Sequence, residues 1–286
     1  AHKHGATALV GDARAVLEDL TAALAGHAVP GKYREEVAAV RARWEKTYAV
    51  VTRCGARGRL SQAAVIRILN ETAGGKATVV HAAGGIPGDI HKLWKPRSAN
   101  DYHSEYGYSC MGYEIAGALG VKFADPGREV YAFLGDGSYL MLNHEIVTSI
   151  QEGRKITIVL IDNHGYQCIH NLQKSCGSSG FGNEFRSRNG RSRLDGRTLS
   201  VDYRKNAESL GAASFTAKSE SELRRALGKA RKETRTCLIY VPVEAGKSLP
   251  GFSWWDVPVP AASGLREVKT ARKKYESETK KRRLYY

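Results

Sequence analysis

Residues 128–165 read REVYAFLGDGSYLMLNHEIVTSIQEGRKITIVLIDNHG, and this stretch decides the fold. Its opening, REVYAFL, alternates and is rich in Val, Tyr and Phe, as a buried strand is, and Gly135-Asp136-Gly137 ends it in a turn. Residues 141–152 carry apolar side chains at helical spacing and stop at Gly153, and 155–161 (KITIVLI) read as a second buried strand. A strand, a helix and a strand in that order make a parallel pair, so both strands end at the same edge of the sheet. Asp136 and Asn163 then emerge side by side at the carboxyl edge, where open α/β sheets bind ligands.

The residue types at that edge suit a diphosphate and a divalent cation. Gly135 and Gly137 let backbone N–H groups approach an anion, Ser138 completes the motif, and a helix starting near Tyr139 adds its dipole. Mg2+ takes hard oxygen ligands in near-octahedral order. Asp136 offers a carboxylate, Asn163 an amide oxygen and Gly165 a main-chain carbonyl, with Tyr166 directly after them.

A unit around this motif starts near residue 60. Ser61 caps a helix that runs to Gly74-Gly75, and 77–81 is a short strand. Residues 82–89 (AAGGIPGD) read as a glycine-rich loop whose backbone at Gly84, Gly85 and Ile86 approaches a phosphate. A loop and helix at 102–124, a helix at 219–232 capped by Ser219 and a strand at 236–243 follow. Alternating strands and helices imply an α/β fold: a doubly wound parallel sheet with helices on both faces. Ahead of it, helices at 13–24 and 32–52 flank Pro30-Gly31 and are too few to bury a core. His2 and His4 have the spacing of a metal pair, but with no third ligand nearby they read as a frayed terminus.

At 286 residues, with 30 glycines and 42% hydrophobic residues, the composition suits an α/β enzyme with tight strand-to-helix turns. Five cysteines without a CxxC pair, and no signal-peptide pattern, lead to the expectation of a reducing cytoplasm. No apolar run reaches the roughly 20 residues that span a bilayer, so no membrane partner is expected. A net charge of +15 raises nucleic acid as a partner. Much of the excess, however, sits in 186–197 (RSRNGRSRLDGR) and in 266–286, where Glu267, Glu276 and Glu278 interrupt the basic run. That tail reads as a solvated helix with Tyr285 and Tyr286 docking it on a neighbour, and nucleic acid is not expected. The 186–197 loop, following glycines at 177, 180 and 182, is expected to be a flexible lid over the substrate.

The GDG motif followed at this spacing by Asn resembles the signature of thiamine diphosphate enzymes. Within that family, residues 102–124 (YHSEYGYSCMGYEIAGALGVKFA), residues 135–186 and the tyrosine-ended tail resemble the hydrolases that open a trihydroxycyclohexane-1,2-dione ring in bacterial inositol catabolism. The resemblance runs the length of this chain but covers only the C-terminal half of the family's proteins. It implies thiamine diphosphate and Mg2+ as cofactors, with Met111 wedged beneath a bent cofactor. It implies a cyclic polyol dione as substrate, cut between its carbonyl carbons to a 5-deoxy sugar acid. The implied division is the end of a middle domain at 1–58, a diphosphate and magnesium domain at 59–260, and a basic tail at 261–286.

The same resemblance implies that the activating glutamate lies in an N-terminal half absent here and comes from a second subunit, so the chain alone is expected to be inactive. Polar positioning groups are sought among His81, His91, His103, Glu105, His144 and His164. His164, between two expected metal ligands, and His103, leading to Met111, are the catalytic candidates. Two other readings compete. One is a 2-keto acid enzyme of the acetolactate synthase kind, against which 102–124 and 165–186 argue; the other is a non-catalytic basic module using the loop and tail.

Overall fold

The computed structural model describes residues 5–245, 249 and 254–282; His2, His4, Tyr285 and Tyr286 lie outside the described residues. Strand β3 (Glu129–Gly135) shows why the architecture is layered. Tyr131 and Phe133 belong to one apolar cluster, while Val130, Ala132 and Leu134 belong to another on the opposite face. A strand apolar on both sides needs cover on both, which is the condition of a central parallel strand.

Around it lie β1 (Ala77–His81), β2 (Tyr102–Ser104), β4 (Thr157–Asp162), β5 (Ala213–Thr216) and β6 (Cys237–Pro242). All pairings are parallel and the order is β2-β1-β3-β4-β6-β5. Helices α3 (Gln62–Thr72), α4 (Gly85–Leu93) and α10 (Glu220–Lys232) cover one face. Helices α5 (Tyr113–Ala124), α7 (Glu145–Gln151) and α9 (Tyr203–Ser209) cover the other. The chain leaves β1 outward to β2 over one face and returns through α5 over the other to β3. Between β1 and β3 the connections therefore diverge, leaving a crevice beyond their carboxyl ends.

Ser61 caps α3 by accepting the Ala64 amide at 3.2 Å, and Ser219 caps α10 by accepting that of Glu222 at 3.4 Å, both as expected. Elsewhere the expected bounds shift. The helix placed over 141–152 is two: α6 (Asp136–Met141) starts at the strand end itself, and α7 follows a break at Leu142 (φ −152°, ψ 72°). The 82–89 loop is shorter than expected, because Gly84 at φ 86° turns the chain straight into α4.

Helices α1 (Ala13–Ala23) and α2 (Gly31–Val51) have no buried residue. Only Trp44, Tyr48 and Val51 of α2 pack partly against the core, reinforced by Lys95, which pairs with Glu45 at 2.8 Å. Helix α8 (Gln167–Ser175) follows β4, and α11 (Arg266–Thr279) closes the described chain. Among the described residues, no helix is long and apolar enough to cross a membrane.

Candidate cofactor-binding site

The crevice at the switch point is a cavity of about 1020 Å3. The end of β1 brings Gly84, Gly85 and Ile86 to it; the end of β3 brings Gly135, Asp136, Gly137 and Ser138; the end of β4 brings Asn163, Gly165 and Tyr166. Met111, just before α5, lines it as well. Every residue expected from the sequence to meet the cofactor thus faces one space, brought there by three parallel strands that stop in register.

Asp136 is wholly buried at the centre. Its Oδ1 accepts the Gly137 amide at 3.0 Å and its Oδ2 the Gly165 amide at 2.8 Å. Burial, with the carboxylate of Asp162 alongside, pushes the Asp136 carboxyl up to about 8. One terminal atom of the Asn163 amide lies 3.2 Å from Asp136 Oδ1 and 2.8 Å from the Gly165 carbonyl oxygen. Whether that atom is nitrogen or oxygen follows from what it meets. Nitrogen there donates to both neighbours; oxygen there completes a cluster of three ligand oxygens. Octahedral Mg2+ with bonds near 2.1 Å holds adjacent ligands about 3 Å apart, close to the two distances measured from that amide atom.

Gly165 has no substitute here. Its φ is 134°, and a Cβ would lie 2.3 Å from the Asn183 carbonyl oxygen. His164 precedes it in the left-handed region at φ 65°. That turn carries its ring away from the main cavity: Nδ1 lies 3.2 Å from Asp162 Oδ1, and His164 lines a neighbouring pocket of about 260 Å3 with Tyr203 and Tyr240. His103 does not line the main cavity either; its Nε2 meets the Tyr113 hydroxyl at 2.7 Å and its ring stacks on Tyr113. Glu105 accepts the amides of Tyr108 and Cys110 at 3.1 and 2.7 Å, shaping the loop ahead of Met111. His81 is fully buried edge-on to Tyr102, and desolvation, with His103 and His91 nearby, lowers it to about 4, so it is neutral. His91 lies farther from the same ring, and His144 is a surface residue beside Glu145.

Two expectations are corrected. The 186–197 loop is not the cover of the main cavity, since none of its residues lines it. It is braced on itself: Ser187 donates to the Arg197 carbonyl at 2.9 Å, and Asn189 Oδ1 accepts the amides of Arg191 and Arg193. The tail is not simply solvated. Its Lys274 and Tyr275 form a wall of the cavity with Trp254 and Trp255, which precede the tail; Val268 of α11 is buried, and Arg272 bonds the Val259 carbonyl at 2.7 Å. Its apolar side chains at 268, 271 and 275 fall on one helical face, a signal masked by the surrounding lysines and arginines. Sequence reasoning also passed over Glu114, a lone acid in an apolar helix, and the cavity pair Gln62 and Asp89, joined at 2.7 Å.

Comparison with known proteins agrees with this geometry. The family described as thiamine pyrophosphate enzyme, C-terminal TPP binding domain, matches residues 82–241. The chain is 44% identical over 229 residues to 3D-(3,5/4)-trihydroxycyclohexane-1,2-dione hydrolase 2 of Bacillus cereus, covering 79% of this chain and 36% of that protein. It is 45% identical over 228 residues to the hydrolase of that name from Geobacillus thermodenitrificans, covering 79% and 36%. The chain thus spans about a third of the length of the curated relatives it matches. Among solved structures, the thiamine diphosphate-dependent 4-hydroxybenzoylformate decarboxylase of Rhodococcus jostii superposes with a TM-score of 0.60 at 17% identity, over 68% of this chain and 35% of that one. Benzoylformate decarboxylase of Polynucleobacter necessarius gives 0.55 at 19% identity, over 65% and 34%. These last two speak for the fold alone. With the cavity and the family match in agreement, the chain belongs to the thiamine pyrophosphate enzymes and carries their C-terminal cofactor-binding domain.

Proposed function

We propose that this chain is the diphosphate- and magnesium-binding half of a hydrolase that cuts the carbon–carbon bond between the carbonyls of 3D-(3,5/4)-trihydroxycyclohexane-1,2-dione, releasing 5-deoxy-D-glucuronate in cytoplasmic inositol catabolism. The observation that carries this reading is the convergence of the Asp136 carboxylate, the Asn163 side-chain amide and the Gly165 carbonyl, with one amide atom 3.2 and 2.8 Å from the other two, inside a cavity lined by Met111 and three glycine-bearing strand ends. The names of the 44–46% identical relatives support the substrate. Thiamine diphosphate, when bound, supplies the electron sink for cleavage beside a carbonyl.

The chain's own residues do the rest. Asp136, the Asn163 amide oxygen and the Gly165 carbonyl hold Mg2+ and through it the diphosphate. Met111 gives the apolar surface on which the cofactor's ring system rests. The donors and acceptors of Gln62, Asp89, Asn171 and Lys274 on the cavity wall suit a polyhydroxylated ring. The activating glutamate belongs to the part of the relatives that lies outside this chain, so the working site forms with that N-terminal half, in a neighbouring subunit. On this reading 1–58 ends a middle domain, 59–260 is the cofactor domain and 261–286 extends it.

Calorimetric titration of thiamine diphosphate with Mg2+ into the chain tests the proposal. Binding that needs magnesium and is lost in Asp136→Ala supports it. Binding by Asp136→Ala equal to the wild type would sink it, and so would ring opening by this chain without its missing half.

A further inference from the structure

Glu114, the second residue of α5, is 1% exposed, and among the described residues no cation pairs with it. Buried acids are rare unless something holds them. Here three donors do. Ser138 Oγ donates to Glu114 Oε2 at 2.7 Å, the Gly112 amide donates to Oε2 at 3.1 Å, and the Ala83 amide donates to Oε1 at 3.3 Å. The Gly112 amide also reaches Ser138 Oγ at 2.8 Å, closing the ring of bonds.

Each donor sits on a different segment of the cavity. Ala83 precedes the Gly84-Gly85 turn, Gly112 follows Met111, and Ser138 ends the GDGS motif. Packing of α5 does not call for an acid, since Ile115, Ala118 and Leu119 already bury its apolar face. Desolvation raises the Glu114 carboxyl, so the fold holds this acid at a cost.

On the reading of the cavity as a cofactor site, we propose that Glu114 is a positioning residue that clamps the Gly84, Met111 and Ser138 segments into one frame and so sets the cofactor-facing groups relative to one another. Because the Ser138 hydroxyl proton is spent on Glu114, Ser138 meets an anion through its backbone N–H and not its side chain.

Two measurements on the full chain test the clamp. Without ligand, Glu114→Ala is expected to speed amide hydrogen exchange together at 83–85, 110–112 and 136–138. Glu114→Gln, which keeps an oxygen for Ser138 and Gly112, is expected to spare the last two segments. With thiamine diphosphate and Mg2+, Glu114→Ala is expected to weaken binding by about tenfold or more and Glu114→Gln by no more than about threefold, as for groups that orient ligating residues. Faster exchange confined to α5, or an unchanged affinity in Glu114→Ala, overturns the proposal. If the wild type itself binds no cofactor, the binding comparison is repeated with the N-terminal half added, and the exchange pattern alone decides the clamp.

Discussion

The carboxylate of Asp136 accepts the backbone N–H of Gly165 at 2.8 Å, so one buried acid ties the end of β3 to the turn after β4. That acid is held against its preference, because burial and the neighbouring Asp162 carboxylate both raise it. A carboxyl raised in the native state stabilises fully below its ordinary value of 3.8 and loses that contribution as pH rises through about 8. The wild type without magnesium is therefore expected to lose stability as pH rises from the ordinary carboxyl range, and Asp136→Asn to lose that pH dependence along with magnesium-dependent cofactor binding. Thermal melts against pH, with and without Mg2+, check both halves; the same pH dependence in the variant would contradict the strain.

The two glycines of the GDG motif are not equivalent. A Cβ at Gly135 meets nothing within 4 Å, whereas one at Gly137 lies 2.5 Å from the Tyr166 ring. Gly137→Ala is expected to push Tyr166 into the cavity and cut cofactor affinity by about tenfold or more, with Gly135→Ala close to wild type. Equal affinities for the two variants would count against this geometry.

Acid should act on two residues in separate windows. His81, lowered to about 4 from 6.5, stays neutral in the native chain while the unfolded chain takes up a proton, so stability falls as pH drops from 6.5 to 4. Glu220 is lowered from 4.5 to about 2 by Arg67, bonded at 2.7 Å, and by Arg224; its contribution is present above 4.5 and is lost as pH falls through about 2. The Glu220 cluster is partly open to solvent, so its pairs contribute only about 0.2–1 kcal/mol each. Denaturant melts against pH should show His81→Leu flattening the upper window and Glu220→Gln the lower. A flattening in the same window for both would refute the assignment.

Truncation after Gly264 removes α11, of which only Val268 is buried. The sheet should survive with a modest loss of stability, while the cavity loses Lys274 and Tyr275 and its affinity for thiamine diphosphate drops. Circular dichroism with calorimetry separates the two effects; a truncated chain binding as tightly as the wild type would show the wall to be idle.

The central sheet was readable because its strands are buried on both faces and so appear as short apolar runs closed by glycine, as with 128–134 before Gly135. Serine caps at 61 and 219 announced two helices. The residues that line the cavity at the ends of β1, β3 and β4 were readable for the same reason, since a strand that stops at glycine marks the carboxyl edge of the sheet. What escaped lacks such marks. Strand β5 is four residues, mostly half-buried, at the sheet edge, and α9 is seven residues of largely polar sequence. The start of α4 follows from the positive φ of Gly84, and α6 starts directly at the end of β3, neither marked by a capping side chain. The role of α11 depends on a distant partner surface that no local pattern specifies.

That last helix also imposes an order of events on synthesis. Strands β1 to β6 are all translated before Arg266, so the sheet can form while the trough above Asp136 is still open to water. Part of the cavity wall, from Trp254 to Tyr275, is made only after β6. A polypeptide halted before Trp254 would then hold a folded sheet beside an unfinished binding space.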